Sequence, residues 1–597
     1  MGGPDGPRGE YTRRLDASRS LAARLGRRSD ALGNARMGVF GLGAVFGWLA
    51  WRGAIGPPWP IAAVVGFAGL VVWSGRVLAA LRRSEGAVAF HERGLARLDG
   101  RWAGSGVPGD RFGDEEHPYA ADLDLFGVGS LFERLCTART ASGEATLASW
   151  LLRPADPAEI AARHEAVAEL RPRLDLRIDL ALLGDDVGTG VAPEALAAWG
   201  ATPHRGAPRW ARALVFLVAA ATVGALVGWL TETIGSGPFA LLLVVEVAIA
   251  YGLGRKTGRA LAGVEDRSAD LATLAGLLAR IEGERFESPR LREIRSTLEG
   301  GRSPASARIA RLSTLVEWLE ARHNVYFALV GSLLLWKTQL ALAIEAWRAE
   351  TGSAVGRWIE VVGQVEAYEA LAGYSYENPD DPFPEVVADG PVFEGEGLGH
   401  PLLPAEGCVR NDLTLGGDLR VLVVSGSNMS GKSTWLRTVG INAVLAQAGA
   451  TVRARRLRLS PLAIGGTLRV HDSLQAGRSR FYAEILRLRQ LVELSRGAPP
   501  LLFLIDEILH GTNSHDRLQG AEAVVRGLID RGAIGLFTTH DLALAEVAGR
   551  LAPRSENVHF ADHLDDAGRL AFDYRMRPGV VRQSNALALM RAVGLDV

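Results

Sequence analysis

A glycine-rich loop carries the residue types that bind phosphate. It consists of Gly426, Ser427, Asn428, Met429, Ser430, Gly431, Lys432, Ser433 and Thr434. The loop follows an apolar run, Val421–Val424, and precedes a predicted helix, Thr434–Ala446. Glycines let backbone N–H groups point at phosphate oxygens, a lysine ammonium reaches the terminal phosphates, and a serine hydroxyl binds magnesium. Strand, loop and helix in this order form a P-loop, which predicts that Lys432 and Ser433 bind ATP and Mg²⁺.

Lysine is rare in this chain, which strengthens the assignment of the loop lysine. The chain has 66 basic residues, and only Lys256, Lys337 and Lys432 are lysines. A sequence that uses arginine almost everywhere keeps a compact ammonium inside this loop, where a planar guanidinium would not fit.

Two acidic residues follow a second apolar run. The run Leu501–Ile505 ends in Asp506 and Glu507. In this arrangement the first acid is a metal ligand and the second polarises the attacking water. A third apolar run, Ala533–Phe537, leads to His540, which can then sense the terminal phosphate. The doubled acid predicts hydrolysis of ATP as well as binding, with Glu507 and His540 as the catalytic residues.

The segment Asp472–Glu484 lies between these elements and opens an amphipathic helix. Its Gly477-Arg478-Ser479 turn stands at the predicted helix N-terminus, which suits an anion. In a P-loop fold such a segment often lies far from its own nucleotide. We therefore expect Gly477 and Ser479 to complete the site of a second subunit, which would make dimerisation an integral step of catalysis.

The composition excludes several classes of protein. A chain of 597 residues and 63.7 kDa is too long for one compact core. The net charge of −1 excludes a uniformly basic nucleic-acid coat, and 48% hydrophobic against 22% charged residues exclude global disorder. The two cysteines, Cys136 and Cys408, can form neither a disulfide framework nor a cysteine-rich zinc site, which indicates a reducing compartment.

Four apolar runs predict two membrane hairpins. They are Met37–Trp51 with Ile55–Ser74, and Ala213–Leu230 with Pro238–Gly254. A mean hydropathy of +0.10 is high for a soluble enzyme. A spanning helix needs about 20 mostly apolar residues, which the second run supplies more fully than the first. The alternative is that these runs are buried helices of a soluble bundle.

Arginine clusters lie outside each predicted hairpin and are sparse at the tips. By the positive-inside rule, both termini and the ATP-binding region would lie in the cytoplasm, and the chain in the inner, or plasma, membrane. Glu246 lies within the fourth run. An acid in a span can mark a proton or ion path, but we expect Glu246 to face a neighbouring helix or the other hairpin.

The motifs, taken in order, resemble those of the MutS family of ATPases, relatives of the ABC-type nucleotide-binding domains. The resemblance rests on residues 426–434, 472–481, 505–513 and 538–540. The Asn-Met pair in the P-loop and the Gly-Thr-Asn after the acidic pair separate this family from transporters. Further upstream, Gly129–Leu131 and Trp150–Leu152 look like the start of the family's helical core.

The resemblance implies an ATP-driven homodimer with two composite sites. Each site would combine the P-loop and Asp506 of one chain with Ser479 of the other. Asn428 would touch phosphate, and Asn513 with His540 would couple the site to the partner. The chain departs from the family pattern in two respects: no N-terminal mismatch wedge of the Phe-x-Glu type is visible, and Arg480 stands where Thr is usual.

The predicted fold is multidomain, with helical membrane hairpins and a helical core followed by a C-terminal α/β P-loop NTPase domain of the ABC/MutS type. The predicted segments are a basic segment 1–36, a first hairpin at 37–83, a first stretch of the MutS-like core at 84–204, a second hairpin at 205–258, a second stretch of the core at 259–375 and the ATPase domain at 376–597. Within the core we expect two long helices, Leu261–Arg295 and Ala307–Trp347.

Two functions from different classes fit this sequence. In the first, a membrane-anchored MutS-like ATPase binds mismatched or branched DNA in DNA repair, and Arg453, Arg455, Arg456 and Arg458 are available for phosphate contacts. In the second, the nucleotide-driven dimer acts on membrane or protein partners without DNA, which the missing wedge and the four spans favour. A transporter fits less well, because four short spans provide little pathway.

Overall fold

The structure is a computed structural model. It describes residues 6–581 except for 185–192, 203–208, 262, 266, 301–302, 321–330, 428, 470–479, 510–513 and 565–569. The chain divides into two compact units, Met1–Ser105 and Gly106–Val597.

The first unit is a hairpin of two long helices, α1 (Pro7–Trp51) and α2 (Pro58–Leu98). At a rise of about 1.5 Å per residue, the 45 residues of α1 extend for roughly 70 Å. Near the start of α1, Tyr11 is buried against Phe90 and His91 near the end of α2, with ring centroids 6.4 and 5.9 Å away. The two helices are therefore antiparallel.

Three helices in the described residues of the chain are long and apolar enough to cross a membrane. They are Pro58–Leu98, Trp210–Leu230 and Ser236–Leu253. The prediction of four spans is wrong in its first member, Met37–Trp51, which lies within α1. Only 15 residues separate Arg36 from Arg52, which gives about 22 Å of apolar helix, whereas the hydrocarbon core is about 30 Å thick.

The second unit begins with a helical region. Its helices are α3 (Leu131–Leu135), α4 (Ala141–Leu152), α5 (Pro157–Leu170), α6 (Leu174–Gly184), α7 (Pro193–Ala201), α8 (Arg209–Leu230), α9 (Ser236–Leu261), α10 (Ser268–Glu282), α11 (Pro289–Ser296), α12 (Ala305–Glu320) and α13 (Trp336–Glu377). Side chains of Ser130, Thr140 and Asp156 cap α3, α4 and α5 by accepting backbone N–H groups. The 42-residue α13 packs against α4, α5, α7, α9 and α12, and so forms the axis of this region.

Two helices that we predicted as continuous are interrupted. The stretch Leu261–Arg295 divides into α10 and α11, because α10 ends before Gly283 and Pro289 starts a new helix. The stretch Ala307–Trp347 divides into α12 and α13, and Leu335 adopts a left-handed conformation, with φ of 48°, just before α13. A left-handed residue cannot continue a right-handed helix.

The α8–α9 hairpin buries an acidic residue between its helices. Glu246 of α9 is 3% exposed and hydrogen-bonds Thr222 of α8, so it faces the neighbouring helix, as predicted. Towards the helix ends, Val215 of α8 is buried with Leu335 and with Leu342 of α13. The hairpin is therefore packed against the axis of the helical region.

The C-terminal region contains two β-sheets. The smaller sheet has the order β1-β5-β2-β3 and consists of β1 (Glu385–Val386), β2 (Val392–Leu398), β3 (Asn411–Gly416) and β5 (Arg456–Leu459). The larger sheet has the order β10-β9-β4-β8-β7-β6 and consists of β4 (Val421–Ser425), β6 (Ala463–Thr467), β7 (Leu501–Ile505), β8 (Ile534–Thr539), β9 (Ser555–Leu564) and β10 (Leu570–Pro578). Its strands are parallel except for β10.

Four described helices accompany these sheets. They are α14 (Lys432–Ala448), α15 (Arg480–Leu494), α16 (Ser514–Asp530) and α17 (Leu542–Leu551). Strands β4, β7 and β8 are buried along their whole length, which explains why their sequences are unbroken apolar runs. A helical region followed by a C-terminal α/β domain is thus confirmed.

The helical region and the sheets share one hydrophobic core. One cluster of buried side chains includes Leu131 and Tyr368 of the helices together with Leu504 of β7. Arg163 of α5 also crosses the junction, where it donates a hydrogen bond to the carbonyl oxygen of Ala448 at 3.2 Å. The helical region therefore packs directly against the larger sheet.

Asp122 ties the helical region to both flanks of residues 470–479. Its Oδ1 accepts hydrogen bonds from the N–H groups of Leu468 and Arg469 at 2.9 and 2.7 Å, and its Oδ2 pairs with Arg487 at 3.0 Å. The residue is wholly buried, and burial raises its pKa although Arg487 acts in the opposite sense. One carboxylate therefore holds the chain before and after this segment.

Two buried carboxyl groups of α13 hold neighbouring helices. Glu366 accepts hydrogen bonds from the N–H groups of Arg139 and Thr140 at 3.0 and 3.3 Å, just before α4. Glu369 pairs with Arg177 of α6 at 3.2 Å. Burial raises the pKa of each carboxyl group to about 7, although these partners act to lower it.

The raised pKa values predict that stability falls as pH rises. Each carboxyl contributes its full stability below the unfolded pKa of about 4.3 and loses it as pH rises through its folded pKa. We expect Glu366→Gln to flatten the dependence of the thermal unfolding midpoint on pH between about pH 5 and about pH 8. The exposed Glu360→Gln on the same helix is the control and should leave the slope unchanged. Equal slopes for Glu366→Gln and the unmodified chain would contradict this account.

Candidate nucleotide-binding site

The P-loop follows the central strand β4, which lies between β8 and β9. The turn requires glycine at two positions, since Gly426 and Gly431 have φ values of 151° and 100°. A Cβ on Gly426 would lie 2.8 Å from Ser430 Oγ and 2.9 Å from the carbonyl oxygen of Phe560. Helix α14 begins at Lys432, so the free N–H groups of its first turn point towards the loop.

Lys432 is buried within this loop. Its Nζ donates hydrogen bonds to the carbonyl oxygens of Gly426 and Ser427 at 2.9 and 2.8 Å. Burial lowers its pKa, while the nearby Glu507 and Asp506 raise it. The ammonium is thus held between the loop and the acidic pair, where a terminal phosphate would be bound.

Two hydroxyl groups of the loop favour a phosphate ligand. Ser427 Oγ and Ser430 Oγ are buried and have no hydrogen-bond partner among the described residues. A buried hydroxyl without a partner costs free energy, and phosphate oxygens would accept hydrogen bonds from both groups. The residues present therefore fit ATP.

Strand pairing brings the acidic residues together with β8. Ile505 of β7 is in register with Phe537 of β8, so Asp506 and Thr538 follow side by side. Thr538 Oγ1 donates a hydrogen bond to Asp506 Oδ1 and accepts one from the N–H of Glu507 at 3.1 Å. Thr538 is a site residue that the motif analysis missed, although parallel pairing of the two predicted strands could have identified it.

His540 lies beside the second acid. Its Nδ1 is 2.9 Å from Oε1 of Glu507, and Glu507 itself has a positive φ of 51°. A left-handed conformation is unusual for a glutamate, and here it occurs directly after β7 ends. The structure therefore brings Asp506, Glu507 and His540 to one edge of the sheet, as predicted.

A cavity of about 700 Å³ extends from the P-loop and acidic pair. Ser433 and Thr434 line it, as does Met429, which is 82% exposed. Among the described residues no group of three or more histidine, cysteine or carboxylate side chains could hold a metal ion. Magnesium would therefore depend on Ser433 and Asp506 together with the nucleotide.

The far wall of the cavity comes from distant segments of the chain. It includes His400, Cys408, Asn411 and Tyr574. Asn411 Nδ2 donates to the carbonyl oxygen of Tyr574 at 3.0 Å, and this bond joins the smaller sheet to β10. Burial lowers the pKa of His400 to about 4, so its ring is neutral at pH 7. No motif marks these residues in the sequence, because only the fold brings them to the P-loop.

Comparison with known proteins identifies the domain that contains this site. Residues 422–596 match the family model for MutS domain V. These residues are therefore a domain of the MutS type. It is 34% identical over 252 residues to "DNA mismatch repair protein MutS 2" of Halobacterium salinarum, which covers 42% of this chain and 29% of that protein.

Other MutS proteins match over similar spans. "DNA mismatch repair protein MutS" of Methanococcoides burtonii is 30% identical over 294 residues, covering 47% of this chain and 32% of that protein. "Endonuclease MutS2" of Thermus thermophilus is 33% identical over 198 residues, covering 33% of this chain and 25% of that protein. The chain thus spans less than a third of the length of these relatives.

Several residues predicted for the MutS site lie outside the described residues. They are Asn428, Gly477, Ser479 and Asn513. Their roles in phosphate binding and in the partner's site stay predictions.

The four arginines considered for DNA contacts each lie next to an acid. The pairs are Arg453–Asp381 at 3.3 Å, Arg455–Asp412 at 3.6 Å, Arg456–Glu385 at 3.0 Å and Arg458–Glu394 at 3.1 Å. Their charges are therefore partly compensated within the chain.

Thr538 provides a test of the acidic cluster in the MutS domain. Thr538→Val keeps the side-chain shape but removes the hydrogen bonds to Asp506 and Glu507. A hydrogen bond to a charged group contributes about 1.5–3 kcal/mol, so we expect ATP turnover to fall by about 10- to 100-fold while ATP affinity changes little. The control is Thr451→Val, since that buried hydroxyl has no partner among the described residues. Equal turnover in both variants would contradict this role of Thr538.

Proposed function

We propose that this chain is a membrane-anchored MutS-like ATPase. It would bind and hydrolyse ATP with Mg²⁺ at composite sites of a homodimer and couple this cycle to binding of mismatched or branched DNA in DNA repair. The observation that carries the proposal is the placement of Lys432, Asp506 and Glu507 around one cavity, with His540 hydrogen-bonded to Glu507 at 2.9 Å.

The proposed roles follow from the contacts of each residue. The P-loop N–H groups and Lys432 would bind the β- and γ-phosphates, and Ser433 with Asp506 would hold magnesium. Bound magnesium would neutralise charge on the phosphate oxygens. Glu507 would orient and deprotonate the attacking water, and His540, 2.9 Å away, would hold the Glu507 carboxylate in place.

The homodimer in this proposal rests on the MutS resemblance. Gly477 and Ser479 would contact the nucleotide of the partner chain, and Asn513 would couple the two sites. Asp122 supports this assignment, because it anchors the flanks of residues 470–479 to the helical region. The residues on either side of the segment would therefore stay attached to the helical region when the segment contacts a partner.

Membrane anchoring is supported by the α8–α9 hairpin and by α2. Trp210 and Trp229 are exposed at opposite ends of α8. They are 19 residues apart, which is about 28 Å of helix, and tryptophans mark the two interfaces of a bilayer whose hydrocarbon core is about 30 Å thick. We propose a multi-pass protein of the inner membrane with the ATPase domain in the cytoplasm.

A second candidate function is action on a membrane or protein partner without DNA. The packing of α13 favours it, since this helix contacts α8 and α9 and ends at the ATPase domain. Near that end, Glu377 pairs with the buried Arg134 at 3.3 Å. Nucleotide-driven motion would then reach the membrane hairpin directly.

The catalytic proposal is tested by Glu507→Gln. We expect this variant to bind ATP with nearly unchanged affinity, to lose turnover by at least about 100-fold as expected for a general base, and to accumulate as dimers in the presence of ATP. Turnover is measured as phosphate release, and dimers by light scattering of the detergent-solubilised chain. Glu546→Gln, an exposed position in the same domain, is the control. Normal turnover in Glu507→Gln would refute the assignment of the base.

A binding assay distinguishes the two candidate functions. The full chain in detergent is titrated with homoduplex, mismatched and branched DNA, with and without ATP, at several salt concentrations. The DNA proposal predicts tighter binding to mismatched or branched DNA and an affinity that falls with salt. Absence of binding to all three substrates would eliminate the first function and leave the second.

A further inference from the structure

The α1–α2 hairpin separates paired from unpaired arginines along its length. At the end remote from the apolar sections, Arg8 pairs with Asp99 at 2.6 Å and Arg19 pairs with Glu92 at 2.7 Å. Arg13 and Arg14 both pair with Glu10. We call Arg8, Arg13, Arg14 and Arg19 the distal arginines. Three acids, Asp99, Glu92 and Glu10, therefore compensate most of their charge within the first unit.

A second group lies close to the apolar sections and has no such pairs. We call Arg27, Arg28, Arg76 and Arg82 the proximal arginines. All four are exposed, and within the described residues none of them forms an ion pair. Residues 24–36 and 74–85 contain seven arginines and only two acids, Asp30 and Glu85. The hairpin therefore presents an uncompensated positive surface at one level.

The proximal arginines lie at the level where an apolar helix section begins. Arg28 is nine residues before Met37, the first residue of the apolar section of α1, which is about 14 Å along the helix. On α2, Arg76 follows Ser74 by two residues, or about 3 Å. Long arginine side chains reach along a helix to the headgroup layer, and electrostatic attraction to a charged surface extends for about 10 Å. Most of these charges would therefore act on lipid headgroups.

A groove between the helices lies at the same level. It has a volume of about 890 Å³, and its polar end includes Ser29, Asp30 and Arg36. Its other end is formed by Phe40 and Phe67, whose ring centroids are 6.1 Å apart. Arg36 and Ser29 at the polar end can bind a headgroup phosphate, against the repulsion of Asp30 beside them, and the two rings at the apolar end can contact the adjoining acyl carbons.

We propose that the proximal arginines form a binding surface for anionic phospholipid headgroups, with one lipid seated in the groove between α1 and α2. This inference rests on the membrane anchoring proposed above and adds a lipid class to it. Four or more arginines directly beside a membrane helix are typical of binding to acidic lipids, and each contributes appreciably near the surface. All of them are arginine, whose planar guanidinium binds phosphate oxygens in pairs.

Lipid fits this surface better than nucleic acid does. The positive charges end where exposed apolar side chains begin, including Met37, Phe40, Val71 and Val72. A DNA backbone would place its phosphates beside these side chains and leave them in water. A bilayer would cover both kinds of surface at once, with the apolar section of α1 entering it beside α2 without crossing it. The juxtaposition of charge and exposed apolar surface therefore selects a phospholipid.

The test measures lipid preference in the full chain. The protein in nonionic detergent micelles is titrated with phosphatidylglycerol and with phosphatidylcholine that carry the same fluorescent acyl chain. We expect at least about tenfold tighter binding of phosphatidylglycerol at low salt. Replacing the four proximal arginines with glutamine should reduce this preference to less than about twofold. Replacing the four distal arginines with glutamine removes the same charge and should preserve it.

Three outcomes would overturn the proposal. The preference could survive in the proximal variant, or both variants could lose it equally, which would indicate an effect of net charge. Alternatively, the proximal variant could lose binding to a fluorescent DNA duplex while keeping its lipid preference, which would assign the surface to nucleic acid. Circular dichroism and size-exclusion chromatography of each variant establish that it is folded.

Two further measurements separate this inference from the proposed function. ATP turnover should be unchanged in the proximal variant, because none of these residues lies at the nucleotide site. Release of the unmodified chain from membranes by alkaline carbonate would refute membrane anchoring, whatever the micelle titration shows. Retention in membranes without a lipid preference would refute only the surface proposed here.

Discussion

The parallel pairing of three buried strands determines where the residues of the candidate nucleotide-binding site meet. Strands β4, β8 and β7 are neighbours, and each ends at the same edge of the sheet. The P-loop, His540 and the acidic pair follow these three ends. A shift in the register of β7 against β8 would separate Asp506 from Thr538 and leave a buried hydroxyl unpaired. The geometry of the site therefore depends on strand pairing more than on any single contact within it.

The sequence predicted this region well because its strands are uninterrupted apolar runs that end in polar motifs. Strand Leu501–Ile505 has the predicted bounds, and β4 differs by one residue. Elsewhere the apolar pattern predicted longer helices than the structure has. A left-handed Leu335 interrupts one apolar helical pattern. Arg36 and Arg52 limit the apolar section of α1 to a length too short for the span that its hydrophobicity predicted. The far wall of the cavity and Thr538 depend on contacts between distant segments, for which a single sequence contains no periodic signal.

The long helix α13 connects the elements of the second unit through three buried carboxyl groups. Glu366, Glu369 and Glu377 are held respectively by the chain before α4, by Arg177 and by Arg134. Sliding of α13 along its neighbours would break these contacts and leave buried polar groups without partners, which costs free energy. The same helix also packs against α8 and α9, so its buried contacts connect that hairpin with the rest of the second unit.

The attachment of Asp122 has a consequence for two copies of the chain acting together. Because this carboxylate fixes Leu468, Arg469 and Arg487 to the helical region, a tilt of that region would shift the base of residues 470–479. In a dimer of the proposed kind, these residues would contact the nucleotide bound by the neighbouring copy. The conformation of each copy would then affect the rate of nucleotide turnover in the other. The two sites would act in alternation or together, but not independently.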